Sequence, residues 1–117
     1  TNDTILVPLT LQIRNGDITF NNKDGVATGT VNILGRVFNM THRPIQTFEN
    51  TVNVQVPSEL LGRTQNNVSV YWKALPLRPG LYKVDIVIKD VNNPDHGGCW
   101  ERSISVPGRW SHGLVWP

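Results

Sequence analysis

Leu77-Arg78-Pro79-Gly80-Leu81-Tyr82-Lys83-Val84-Asp85-Ile86-Val87-Ile88-Lys89-Asp90 is a proline–glycine corner feeding a strand. Pro79 presets its own φ, and Gly80 supplies the backbone freedom that a tight corner demands. Beyond the corner, Tyr82, Val84, Ile86 and Ile88 fall on alternate positions and therefore on one face of an extended chain. A tyrosine at this point is expected to sink its ring into the core and return its hydroxyl to nearby backbone, as corner tyrosines of β-sandwiches do. The odd positions Leu81, Val87 and Val91 are also apolar, which predicts a central strand over 81–91, covered in part on both faces.

Working outward, the apolar period stays at two. Ile5, Val7, Leu9, Leu11 and Ile13 share one face of a first strand. Pro8 removes a backbone donor inside it, which places that strand at a sheet edge. Asn15-Gly16-Asp17 and Asn22-Lys23-Asp24-Gly25 read as turns, with a short strand around Ile18 and Phe20 between them. A strand over 26–40 carries Val31, Ile33 and Val37 on one face, with Gly29 and Gly35 marking a bulge or a close neighbour. The next strand carries Val52, Val54 and Val56 and ends at Pro57. Residues 58–65 are the one helix-like stretch, with Ser58 as cap and Gly62 as stop. A strand over 67–75 sets Val68, Val70 and Trp72 against Tyr71, and a last strand over 99–106 follows a loop rich in turn formers. Trp72 and Trp100 lie on strands, and one or both are expected to fill core volume.

Composition narrows the class. A chain of 117 residues suits one domain with a real core. Charged residues make up 17% and the formal net charge is +2, and the basic residues are scattered, so no phosphate-binding cluster stands out and nucleic acid is not an expected partner. No apolar run approaches the ~20 residues of a helical membrane span. Cys99 is the single cysteine; it cannot form an internal disulfide and is expected to be a half-buried strand thiol. The chain starts at Thr1, which fits a mature form or an excised piece.

The chemistry-bearing residues do not assemble into a motif. His42, His96 and His112 lie far apart in loops or in the tail, without metal-ligand spacing. No G-x-S-x-G elbow is present. Asp90 and Asp95 flank one hairpin and read as a solvated turn rather than as a carboxylate pair or a calcium loop. The Asn-x-Ser/Thr triplets at Asn2, Asn39 and Asn67 are glycan acceptors only in a eukaryotic secreted setting. The expectation is therefore no catalytic residue, no metal site and no cofactor. Residues 108–117 (GRWSHGLVWP) depart from the strand pattern and hold Trp110 and Trp116. These two are the candidate ligand or partner contacts, since exposed aromatic rings stack on sugars or fill a partner's pocket.

Several stretches in order resemble a bacterial family: Lys23-Asp24-Gly25-Val26, Val31-Asn32-Ile33-Leu34-Gly35-Arg36-Val37, Gln46-Thr47-Phe48-Glu49, Val56-Pro57-Ser58-Glu59-Leu60-Leu61, the corner from Ala74 to Tyr82, and Lys89-Asp90-Val91-Asn92. Across about residues 20–107 they are similar to the β-sandwich region of GWxTD-domain proteins and related exported proteins associated with von Willebrand A domains. The GWxTD motif is itself absent, as is a metal-adhesion motif of the von Willebrand A type. The resemblance implies an extracytoplasmic (periplasmic or secreted) accessory module and brings no catalytic residue.

Together these readings predict an all-β, immunoglobulin-like antiparallel sandwich of about seven strands over residues 1–107, followed by a flexible or docking tail at 108–117. The expected role is a non-enzymatic interaction or spacer module of a larger exported bacterial protein, its partner another domain of the same polypeptide or a protein that pairs with an exposed edge strand. A carbohydrate-binding module using exposed tryptophans is the first alternative, and a small hydrolase domain the second.

Overall fold

The computed structural model describes residues 4–107. They form seven antiparallel strands in two facing sheets, an immunoglobulin-like sandwich. β1 (Ile5–Arg14) pairs with β5 (Val68–Leu77) to make a sheet of two strands. The opposing sheet has five, built around β3 (Val26–Asn39). Along one side β3 pairs with β4 (Pro44–Pro57) over almost its whole length. Its other side is shared: β2 (Phe20–Lys23) takes the first residues and β6 (Gly80–Asp90) takes Val31 onward. β7 (Gly97–Val106) pairs with β6 and forms the outer edge.

The local chemistry sets these elements. β2 and β3 join through Asp24 (φ 54°) and Gly25 (φ 82°), positive at both central positions as a type I′ hairpin turn requires. Two short 3₁₀ stretches, Asn15–Asp17 and Ser58–Thr64, occupy the connections. The second departs from the reading of 58–65. Pro57 holds the cap position, Ser58 supplies no capping bond, and the turn runs past Gly62 to Thr64.

The core is one apolar cluster between the sheets. The β1–β5 sheet contributes Val7, Leu11, Tyr71, Leu75 and Leu77; the other sheet contributes Ile33, Val37, Phe48, Tyr82, Val84 and Ile86. Alternation places these residues on inward faces, so the period-two reading of β1, β3 and β6 holds. Among the described residues, Pro8 sits on a strand paired on one side only, as expected.

The corner closes as the sequence predicts. Gly80 adopts φ 153°, Tyr82 is 7% exposed, and its hydroxyl donates to the Arg78 carbonyl at 2.6 Å. Tyr82→Phe is therefore expected to cost about 1–3 kcal/mol by leaving that acceptor without its partner. The check is a lower urea midpoint at an unchanged denaturant slope. An unmoved midpoint would show that the hydroxyl contributes nothing.

Candidate interaction surfaces and a buried carboxylate

The outer faces of the two sheets differ in chemistry. On the five-stranded sheet, Thr30 donates to Asn53 at 2.9 Å and Thr51 to Asn32 at 2.9 Å, which ties β3 to β4 through polar side chains. Lys83 and Glu101 form an exposed ion pair at 3.6 Å on the same face. The outer face of the two-stranded sheet is apolar. Cross-strand pairing sets Leu6 beside Pro76, Pro8 beside Ala74, Thr10 beside Trp72 and Gln12 beside Val70. Leu6 is 66% exposed, Val70 59% and Trp72 62%. Exposed apolar side chains gathered on one sheet face, rather than scattered singly, are the pattern that marks an interaction surface.

Trp72 and Trp100 correct the sequence reading, which put one or both in the core. Both are exposed, Trp100 by 48%. Trp72 shares a face with Val68 and Val70, but the odd residues Tyr71, Leu75 and Leu77 are the ones turned toward the opposing sheet. Trp100 pairs with Ile86 and shares its inward face, yet it lies where the narrow β1–β5 sheet no longer covers it. The two rings stand on different sheets and different surfaces, so they do not form one stacking platform. Cys99 is likewise exposed rather than half-buried. Trp110, Trp116 and His112 lie outside the described residues.

The two long sides of the sandwich are also unequal. On the β4–β5 side the sheets are laced: the Gln46 side-chain amide donates to the Pro76 carbonyl, and the Lys73 ammonium sits 5.7 Å from the centre of the Phe48 ring. On the β1–β7 side a groove opens between the sheets. It holds a cavity of about 330 Å³ whose walls include Val7, Leu9, Val84, Ile86, Trp100 and Ile104. A second cavity of about 250 Å³ continues it past Leu11, Ile88 and Cys99. Arg102 lies at the mouth with its guanidinium 5.7 Å from the Trp100 ring centre. An inward-facing cation on an edge strand discourages uncontrolled edge pairing.

The hairpin acids are not equivalent, which corrects the reading of a solvated turn. Asp95 is exposed, whereas Asp90 is 3% exposed. The Thr19 backbone N–H donates to the Asp90 carboxylate at 2.8 Å, the Asn92 N–H donates at 3.3 Å, and His96 Nδ1 lies 3.2 Å away. Burial pushes this carboxyl up, but the bonds from Thr19, His96 and Asn92 outweigh it and hold the group below the ordinary carboxylate value. Asn92 completes the clasp: its Nδ2 donates to the carbonyls of Thr19 (3.0 Å) and Thr28 (3.1 Å), and its Oδ1 accepts from Asn21 (3.0 Å). The network therefore pins β2 and the start of β3 to the β6–β7 loop. It stops at the imidazole, because no serine or cysteine side chain is hydrogen-bonded to His96 among the described residues. Among those residues no group of three or more His, Cys, Asp and Glu side chains is placed to hold a metal ion, and no helix is long and apolar enough to cross a membrane.

Neither a family model nor a curated protein matches the chain. Among solved structures it is similar to a calcium binding mutant of Bacteroides uniformis beta-glucuronidase 2, with a TM-score of 0.51 and 11% sequence identity. The match covers 91% of this chain and 12% of that one, so the chain spans about an eighth of that protein's length. At this identity the likeness speaks to fold alone.

Proposed function

We propose that this sandwich is a non-catalytic interaction module that docks onto another protein through the outer face of the β1–β5 sheet. The supporting observation is the row of exposed Leu6, Val70 and Trp72 with Pro8, Ala74 and Pro76 between them, set against the Thr–Asn bonds that link β3 to β4 on the outer face of the other sheet. Trp72 at its centre is the anchor, since large aromatic side chains dominate binding energy when a partner dries them. The stiff five-stranded sheet holds the narrower one in place and acts as the spacer. Placement in a larger exported bacterial polypeptide belongs to the same proposal and rests on the family resemblance.

A photo-crosslinking amino acid at Trp72 tests the reading, with the same group at Glu49 on the polar outer face as control. In the native host, position 72 is expected to capture a discrete protein adduct and position 49 none. Equal patterns at the two positions, or no adduct at 72, would overturn the reading. So would saccharide binding that disappears in Trp72→Ala.

A further inference from the structure

The groove on the β1–β7 side sets one cation in an apolar wall. Its two cavities share Ile86 and Trp100 and so run as one channel along β7, from Ile104 to Gly98. Among the described residues that line it, Arg102 is the only charged one. No described residue gives the Arg102 guanidinium an ion pair or a hydrogen bond. It rests instead against the Trp100 ring, 5.7 Å from the centre, which holds the planar fork at the mouth. A backbone donor faces the same space. The Asn15 N–H donates to the Asn67 carbonyl at 2.8 Å, and the β1–β5 register runs unbroken from Arg14↔Val68 to Ile5↔Leu77. Bonded and non-bonded pairs alternate in an antiparallel ladder, so the odd residues of β1 bond to β5. The Thr10 N–H therefore turns to the groove side, and Thr10 lines the same cavity as Arg102.

We propose that this channel binds a free aliphatic monocarboxylate, its carboxylate at the Arg102 guanidinium and the Thr10 N–H, its chain along β7 toward Gly98. Charge complementarity selects the head: a guanidinium fork without an anion matches a carboxylate through two parallel bonds. The walls select the tail, since Leu9, Leu11, Ile86, Ile88 and Ile104 present hydrocarbon along the channel. A mostly apolar concavity with a few polar groups that fix orientation is the build of a small-molecule site. From Arg102 to Gly98 β7 covers roughly 13 Å, about the reach of an extended decanoate chain. An added β-strand fits less well. Beside β1 it would meet Pro8, which has no N–H to give, and beside β7 it would meet the inward charge of Arg102. Both are devices that blunt an edge. A ligand without a backbone needs neither edge. The channel lies between the sheets, apart from the outer face of the β1–β5 sheet, so its occupancy is independent of docking at Trp72.

Titration calorimetry and amide chemical shifts of the full chain with decanoate, kept below its micelle concentration, test this. One decanoate per chain is expected, with the largest shifts at Thr10, Trp100 and Arg102 and little change at Val70 and Trp72. Decan-1-ol, which has the chain without the charge, is expected to bind roughly tenfold more weakly. Arg102→Met is expected to weaken decanoate by about the same factor and to leave decan-1-ol unchanged, an unaltered urea midpoint showing that the variant folds. No saturable binding of decanoate would overturn the proposal. So would equal affinity of the parent for acid and alcohol, normal decanoate binding by Arg102→Met, or shifts centred on Trp72. Shifts at Cys99 and Glu101 that grow with protein concentration in the absence of ligand would also overturn it, by placing a second copy at the groove.

Discussion

Ile33→Ala is expected to lower the free energy of unfolding by about 3–5 kcal/mol, and Ile86→Ala by about 2–3 kcal/mol. The chemistry removed is the same, and both side chains are fully buried, at 0% and 1% exposure. The surroundings differ. Ile33 lies on β3 with β4 on one side and β6 on the other, so its deletion leaves a hole that the sheet cannot collapse into. Ile86 borders both cavities of the open groove, so its deletion enlarges a space that already reaches the edge of the sandwich. The cavity part of the cost is correspondingly smaller there. Urea denaturation of the two variants and the parent, at matched denaturant slopes, gives the comparison. Equal losses would show that the groove side packs as tightly as the centre. An effect of Ile33→Ala below about 1 kcal/mol would contradict the assignment of the inward face.

How far the sequence carried this fold depends on what each signal reports. Alternation reports which residues share a face, and in β1 and β3 a single face is rich in large apolar side chains, so the inward side was legible. In β5 it was not. Val68, Val70 and Trp72 compete with Tyr71, Leu75 and Leu77, and only the position of the opposing sheet decides between them. Trp100 was assigned to the correct strand, but its exposure follows from the narrowness of a sheet formed by residues far away in the chain. Gly35 signalled a bulge or a close neighbour, and the structure supplies the neighbour: the Phe48 ring packs so closely that an added Cβ would fall within it. The corner was legible because its bond is local, with Tyr82 reaching a carbonyl four residues upstream. The Asp90 clasp was not, because its shortest bond comes from Thr19, 71 positions away. No local pattern distinguishes that aspartate from a solvated turn residue.

Asp90→Ala is expected to cost about 2–5 kcal/mol, because it leaves the part-buried N–H groups of Thr19 and Asn92 without their acceptor. The loss should be larger than that of any exposed acid, including Asp95 on the same loop. Its pH dependence has a definite sign. The bonds favour the ionised carboxylate, so the folded value lies below the unfolded one. The resulting stabilisation is complete above the unfolded carboxylate value of about 4, and it is lost as pH falls through the lower folded value. Asp90→Asn retains the shape and removes the charge, so the stability gap between parent and variant should be widest near neutral pH and should narrow below about pH 4. Denaturant midpoints of the two proteins, taken stepwise from neutral to pH 3, measure that gap. A gap that stays constant across the acid range would mean that the carboxylate acts as a neutral acceptor. A gap that widens on acidification would reverse the sign of the linkage and would place the folded value above the unfolded one. If the clasp holds β2 as its bonds indicate, the amides of Asn21 and Lys23 should lose exchange protection in Asp90→Ala before those of Ile33, separating local release of β2 from global unfolding.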